Sequence, residues 1–184
     1  ARDATWRLDW SEGREAVVLR ASIDDVAGPG EHLRLERTYR VPVGGARIEL
    51  TDVLTNQGGR PVDYQVLYHV NLGYPLLAET TRVGFPVGDR VTGRDAVSQA
   101  AIPLHAAGGA PDPDGEDQVF RHTAPPDESG WTHVAVTRPD LGQGGVTLRL
   151  SYRAAELPFL WQWRMLRSGM YVMGIEPATG LLAG

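Results

Sequence analysis

Leu33-Arg34-Leu35-Glu36-Arg37-Thr38-Tyr39-Arg40-Val41 alternates from end to end. Leu33, Leu35, Arg37, Tyr39 and Val41 fall on one side, and Arg34, Glu36, Thr38 and Arg40 on the other. A period of two is the pattern of a strand with one covered face. Such a strand belongs in an antiparallel sheet, because parallel strands are covered on both faces. Before it lies the β-branched run Ala16-Val17-Val18-Leu19-Arg20-Ala21-Ser22-Ile23, bounded by Gly13 and by Gly28-Pro29-Gly30. After it, Gly44-Gly45 turns the chain into a second alternating run over residues 47–55. Asn56-Gln57-Gly58-Gly59 then turns it into a strand over residues 62–71. Strands spaced about ten residues apart, with turn signals between them, mark a sandwich or barrel.

The pattern weakens over residues 77–117, where residues 81–87 read as a short strand and residues 106–115 as an exposed Ala/Gly/Pro/Asp loop. It returns as strands over residues 118–122, 131–138, 146–152, 159–166 and 170–176. No amphipathic helix, internal repeat or low-complexity tract is found. The expected fold is all-β, an antiparallel β-sandwich forming a single domain over residues 1–184.

Composition narrows the chemistry. Cysteine is absent, which removes disulfides, thiolate metal sites and cysteine nucleophiles from this stretch. All 18 basic residues are arginine, so no lysine Schiff base is available. A net charge of −5 gives no reason to expect nucleic acid or an anionic membrane as partner. No apolar run is long enough to span a bilayer. The first ten residues carry Arg2, Asp3, Arg7 and Asp9, unlike a signal peptide, and a cytoplasmic location is expected. The spacing of His32, His69, His105, His122 and His133 is not that of metal ligands, and no metal or other cofactor is expected. Nothing in the sequence fixes an oligomeric state.

Two features point to carbohydrate. Val66-Leu67-Tyr68-His69-Val70-Asn71-Leu72-Gly73-Tyr74-Pro75 reads as a strand running into a turn, with His69 and Asn71 on one face. Met170-Tyr171-Val172-Met173-Gly174-Ile175-Glu176-Pro177 is an apolar strand that delivers a carboxylate. Trp161, Trp163 and Tyr171 lie near it in sequence. Aromatic faces pack on sugar rings, while carboxylates, amides and imidazoles bond the hydroxyls. Tryptophans in strands are core filler about twice as often. A histidine and a glutamate that converge can act as acid and base near neutral pH. Glu116 and Asp117 are further carboxylates. Spacing alone does not bring His69 and Glu176 together.

The same segments carry a resemblance. Asn56, followed by His69-Val70-Asn71-Leu72, is similar to the N…H-x-x-x-N-L segment of aldose 1-epimerases (galactose mutarotases). Gly115-Glu116-Asp117-Gln118-Val119-Phe120 resembles their G-x-D-H-x-F segment. Gly174-Ile175-Glu176-Pro177-Ala178-Thr179 resembles the strand that presents their catalytic glutamate. A little-characterised branch of that superfamily, with Y-H-x-N-x-G-x-P, E-x-Q-V-[FY] and G-I-E-P-A-T segments, is more similar still. The resemblance implies a galactose mutarotase-like supersandwich whose N-terminal part precedes Ala1, so the chain is expected to be a fragment. It implies an isomerase that binds a small-molecule sugar, with His69 as acid toward the ring oxygen and Glu176 as base toward the anomeric hydroxyl, facing each other across the sugar. It implies Asp117, or Glu116 in its place, as a substrate-binding carboxylate, with Asn71, Trp161 and Trp163 as further sugar contacts. Gln118 departs from the pattern, standing where mutarotases carry a histidine. A non-catalytic carbohydrate-binding module on the same scaffold is the alternative.

Overall fold

The computed structural model of the protein describes residues 4–182. Its strands fall into two compact units, one ending at Tyr64 and one beginning at Gln65. Every strand-to-strand ladder is antiparallel, as the alternation implies.

The first unit is a meander of four strands in chain order: β1 (Ala4–Trp10), β2 (Ala16–Gly28), β3 (Glu31–Pro42) and β4 (Glu49–Asn56). Register sets its two faces apart. Leu8, Leu19, Tyr39 and Leu50 form one cross-strand row, and Trp10, Val17 and Val41 begin the next, giving an apolar face. The opposite face carries charge: Arg34 donates to Asp24 at 2.8 and 3.1 Å, and His32 lies 2.8 Å from the same carboxylate. Gly44, in the left-handed region at φ 72°, makes the turn before β4 as the Gly-Gly pair implies.

The second unit is a two-layer sandwich. One layer has the order β5 (Val70–Leu72), β12 (Met170–Ala178), β11 (Phe159–Arg167), β8 (Gln118–His122) and β7 (Val91–Gly93). The other has β10 (Val146–Arg153), β9 (Trp131–Arg138) and β6 (Arg82–Gly84). The layers meet through Leu72, Leu160, Met173 and Ile175 on the first and Val83, Val134, Val136 and Tyr152 on the second. The residues between them on β11 and β12, namely Trp161, Trp163, Gly174 and Glu176, therefore lie on the outer face of the five-stranded layer.

Two expectations change. The strand over residues 62–71 contracts to β5, preceded by one bridge between Leu67 and Ala178. Among the described residues this segment is the layer's edge, with β12 on one side only. Residues 77–117 also hold more structure than their pattern suggests: β7, and a one-turn helix, α1 (Ala96–Ala100), capped by the Asp95 side chain on Ser98 N–H at 2.8 Å. Both are too short to leave a periodicity. They pack closely, since a Cβ added at Gly93 would lie 2.2 Å from the backbone nitrogen of Gln99. Gly93→Ala is expected to cost about 1–3 kcal/mol in a urea or guanidinium titration, because backbone must move to admit the methyl. An unchanged midpoint would contradict that packing.

Candidate functional site

The bridge at Leu67 and the pairing of Val70 with Ile175 keep one register along β12. That register sets His69 opposite Glu176 and Asn71 opposite Gly174. On the other side of β12, Trp161 is opposite Glu176 and Trp163 opposite Gly174. Two residues distant in sequence thus become cross-strand neighbours on the outer face.

His69 Nε2 lies 3.1 Å from Glu176 Oε1. The imidazole is 46% exposed and the carboxylate 5%. Their alignment is not that of a hydrogen bond, and among the described residues the buried Oε1 has no hydrogen-bond partner. Burial pushes the Glu176 carboxyl up from its ordinary value of 4.5; the charge of His69 opposes this and that of Asp117 adds to it. Gly174 makes room for the carboxylate. A Cβ there would lie 2.2 Å from Glu176 Oε1 and 3.1 Å from Cδ.

Around the pair runs a chain of contacts. The His69 ring stands edge-on to Trp163, with centroids 5.4 Å apart and planes at 79°. Trp163 Nε1–H donates to Asp117 Oδ1. The other oxygen of Asp117 accepts from Arg94 at 3.1 Å, and Arg94 also bonds Asp95, the cap of α1. Ser98 of α1 accepts from Val119 N–H at 2.9 Å and so ties the helix to β8. The short elements that left no sequence pattern thus hold Asp117 in place.

The remaining expected residues divide. Asn71 is exposed on the same face, beside the pair. Trp161 is 6% exposed, packed with Val119 and Ala178, and donates to Gly180 O at 3.4 Å. It is core beside the site and offers no face for a sugar. Glu116 is exposed and, among the described residues, makes no hydrogen bond or ion pair. Asp117, held by Trp163 and Arg94, is the carboxylate next to the pair. His69 and Glu176 also stand side by side in contact, with no space for a ring between them as the resemblance had implied.

The other histidines are occupied locally. His32 bonds Asp24, His105 bonds Ile102 O, His122 lies between Asp89 and Gln162, and His133 between Asp127 and Ser151. Among the described residues, no three His, Asp or Glu side chains gather as a cation site. Sequence reading passed over Gly174 and Arg94. The signal for Gly174 was present, because it stands two residues before Glu176 and so shares its face.

The domain of unknown function DUF4432 matches residues 1–184. The chain belongs to the DUF4432 family. No curated protein matches this DUF4432 chain in sequence. Among solved structures it is similar to a candidate aldose 1-epimerase from Klebsiella pneumoniae, with a TM-score of 0.80 and 27% identity. The likeness covers 90% of this DUF4432 chain and 43% of that protein's chain, so the chain spans less than half of its neighbour's length. The antiparallel β-sandwich is a fold of the aldose 1-epimerase kind.

Proposed function

We propose that this chain carries the acid–base pair of an aldose 1-epimerase-type enzyme, an isomerase that interconverts the anomers of an aldose or sugar derivative. The observation that carries the reading is the buried, unpartnered Oε1 of Glu176 beside the exposed imidazole of His69. In a cyclic aldose the anomeric hydroxyl and the ring oxygen are bonded to the same carbon. A base for one and an acid for the other can therefore stand side by side, as His69 and Glu176 do. Glu176 takes the proton of the C1 hydroxyl, and His69 gives one to the ring oxygen. The ring opens, the C1–C2 bond rotates, and closure with the roles reversed returns both protons. Burial suits Glu176 to this task, since a raised pKa makes the carboxylate a stronger base. Asp117, Asn71 and Trp163 border the pair and are proposed as sugar contacts. The Klebsiella neighbour's description supports the reaction class.

The test is anomer exchange over a panel of aldoses, followed by NMR magnetisation transfer or polarimetry. His69→Ala is expected to slow exchange by about 10²–10⁴-fold. It should leave the melting temperature nearly unchanged, because the side chain is almost half exposed. Saturable sugar binding without exchange would select a binding module instead.

A further inference from the structure

We propose that Arg94 is a positioning residue of this site, orienting the His69 imidazole through the Asp117 carboxylate and the Trp163 indole; that the imidazole so placed acts on a sugar rests on the reading above. His69 lies just outside the ladder that β5 makes with β12. Almost half of its ring is exposed, and the Glu176 carboxylate is close but misaligned. Among the described residues the imidazole makes no hydrogen bond that would fix its plane. What the ring does meet is Trp163, at 79° between planes. Such a contact orients one ring only as firmly as the other is held. An indole N–H donates and cannot accept, so a single firm acceptor settles how the indole is turned. For Trp163 that acceptor is Asp117.

Asp117 is held in turn by Arg94, whose guanidinium spans two carboxylates, Asp117 Oδ2 at 3.1 Å and Asp95 Oδ2 at 3.1 Å. Both ends of that bridge are tied to β8. The backbone N–H of Arg94 donates to Val119 O at 2.9 Å. Asp95 caps α1, and Ser98 of α1 accepts from Val119 N–H. Arg94, Asp95, Ser98 and Val119 therefore close a ring, and Asp117 hangs from it at a set angle. The Arg94 and Asp117 side chains are 39% and 42% exposed. Exposed ion pairs add little to stability, so a purely structural role leaves this bridge little to do. Its effect on geometry is larger, since a displacement near ~1 Å at a reacting group can cost about 10²-fold in rate.

The experiment joins NMR of the full chain to anomer exchange over the same panel of aldoses. Trp163→Phe identifies the indole N–H resonance of Trp163, and His69→Ala the ring C–H resonances of His69. Arg94→Ala is expected to move both, to slow exchange by about 10–10²-fold, chiefly in kcat, and to change the melting temperature by less than about 2 °C. Arg94→Lys keeps the charge without the planar fork and should recover part of the rate and of the shifts. Asp117→Asn should slow exchange as well, and adding Arg94→Ala to it should slow exchange little further, because Arg94 acts through Asp117. Unmoved His69 resonances in Arg94→Ala, a lysine variant no better than the alanine one, or losses that multiply in the double variant would each overturn the proposal. Normal exchange in Arg94→Ala beside slow exchange in His69→Ala would overturn the positioning role and leave the epimerase reading in place. If the unmodified protein exchanges no sugar, that reading fails and the resonances decide alone: shifts at His69 and Trp163 uphold the positioning, and their absence overturns it.

Discussion

Glu176→Gln is expected to lower the rate of anomer exchange by about 10²–10⁴-fold and, in the same protein, to raise the melting temperature. The two effects share one cause. The carboxylate is buried with an oxygen that accepts no hydrogen bond, so its charged form is unfavourable in the fold. Glutamine nearly keeps the shape and removes the charge. A gain of ~1 kcal/mol would shift the melting temperature of a chain this long by about 2–4 °C. The pH dependence fixes the sign. Because the folded-state pKa of Glu176 is raised, the folded protein holds its proton more tightly than the unfolded chain does. That contribution to stability is full below the ordinary value of 4.5 and is lost as pH rises through the folded-state pKa. The variant's advantage should therefore be present at pH 7 and shrink towards pH 4. The acid limb of exchange by the unmodified protein should also lie above 4.5. A variant that exchanges anomers normally, or one that is stabilised equally at both pH values, would remove Glu176 from the proposed role.

Gly174→Ala should be nearly as damaging to exchange, although residue 174 contributes no functional group. A methyl there would occupy space 2.2 Å from the carboxylate oxygen. Either the glutamate swings away or the strand shifts, and a displacement near 1 Å at a reacting group can cost about 10²-fold. The glycine is not among the positive-φ residues, so alanine meets no backbone penalty and the effect is one of volume. A second measurement separates this from a general loss of stability. If residue 174 acts through Glu176, adding Gly174→Ala to Glu176→Gln should change exchange little beyond the single variants. Multiplying losses would assign the glycine to packing alone.

The all-β class was legible because alternation is local, and Leu33 to Val41 or Trp131 to Arg138 show it within one strand. His69 and Glu176 were each legible as residue types on strands. Their meeting was not, because it depends on how an edge segment of three paired residues and one bridge registers on β12, which no local period encodes. Trp161 and Trp163 read alike in sequence, two residues apart on one face. Burial separates them: one packs into a small cluster with Val119 and Ala178, while the other meets His69 and Asp117. Asp117, the first of the two carboxylates the resemblance implies, differs from Glu116 in being held by Arg94 and Trp163, and Arg94 lies in a stretch whose strand and helix are too short to leave a period.

Glu176 and His69 are also unequally anchored. Glu176 belongs to a strand with a partner on each side, β5 and β11. His69 belongs to the segment just before β5, fastened by the Leu67 bridge and by Tyr68 N–H to Pro177 O at 2.9 Å. Edge segments with few ladder bonds open to solvent at lower free energy than the strands beside them. Amide protons around residue 69 should thus exchange with deuterium well before those of β12. On warming, function would have its own transition, below that of the sheet that carries it.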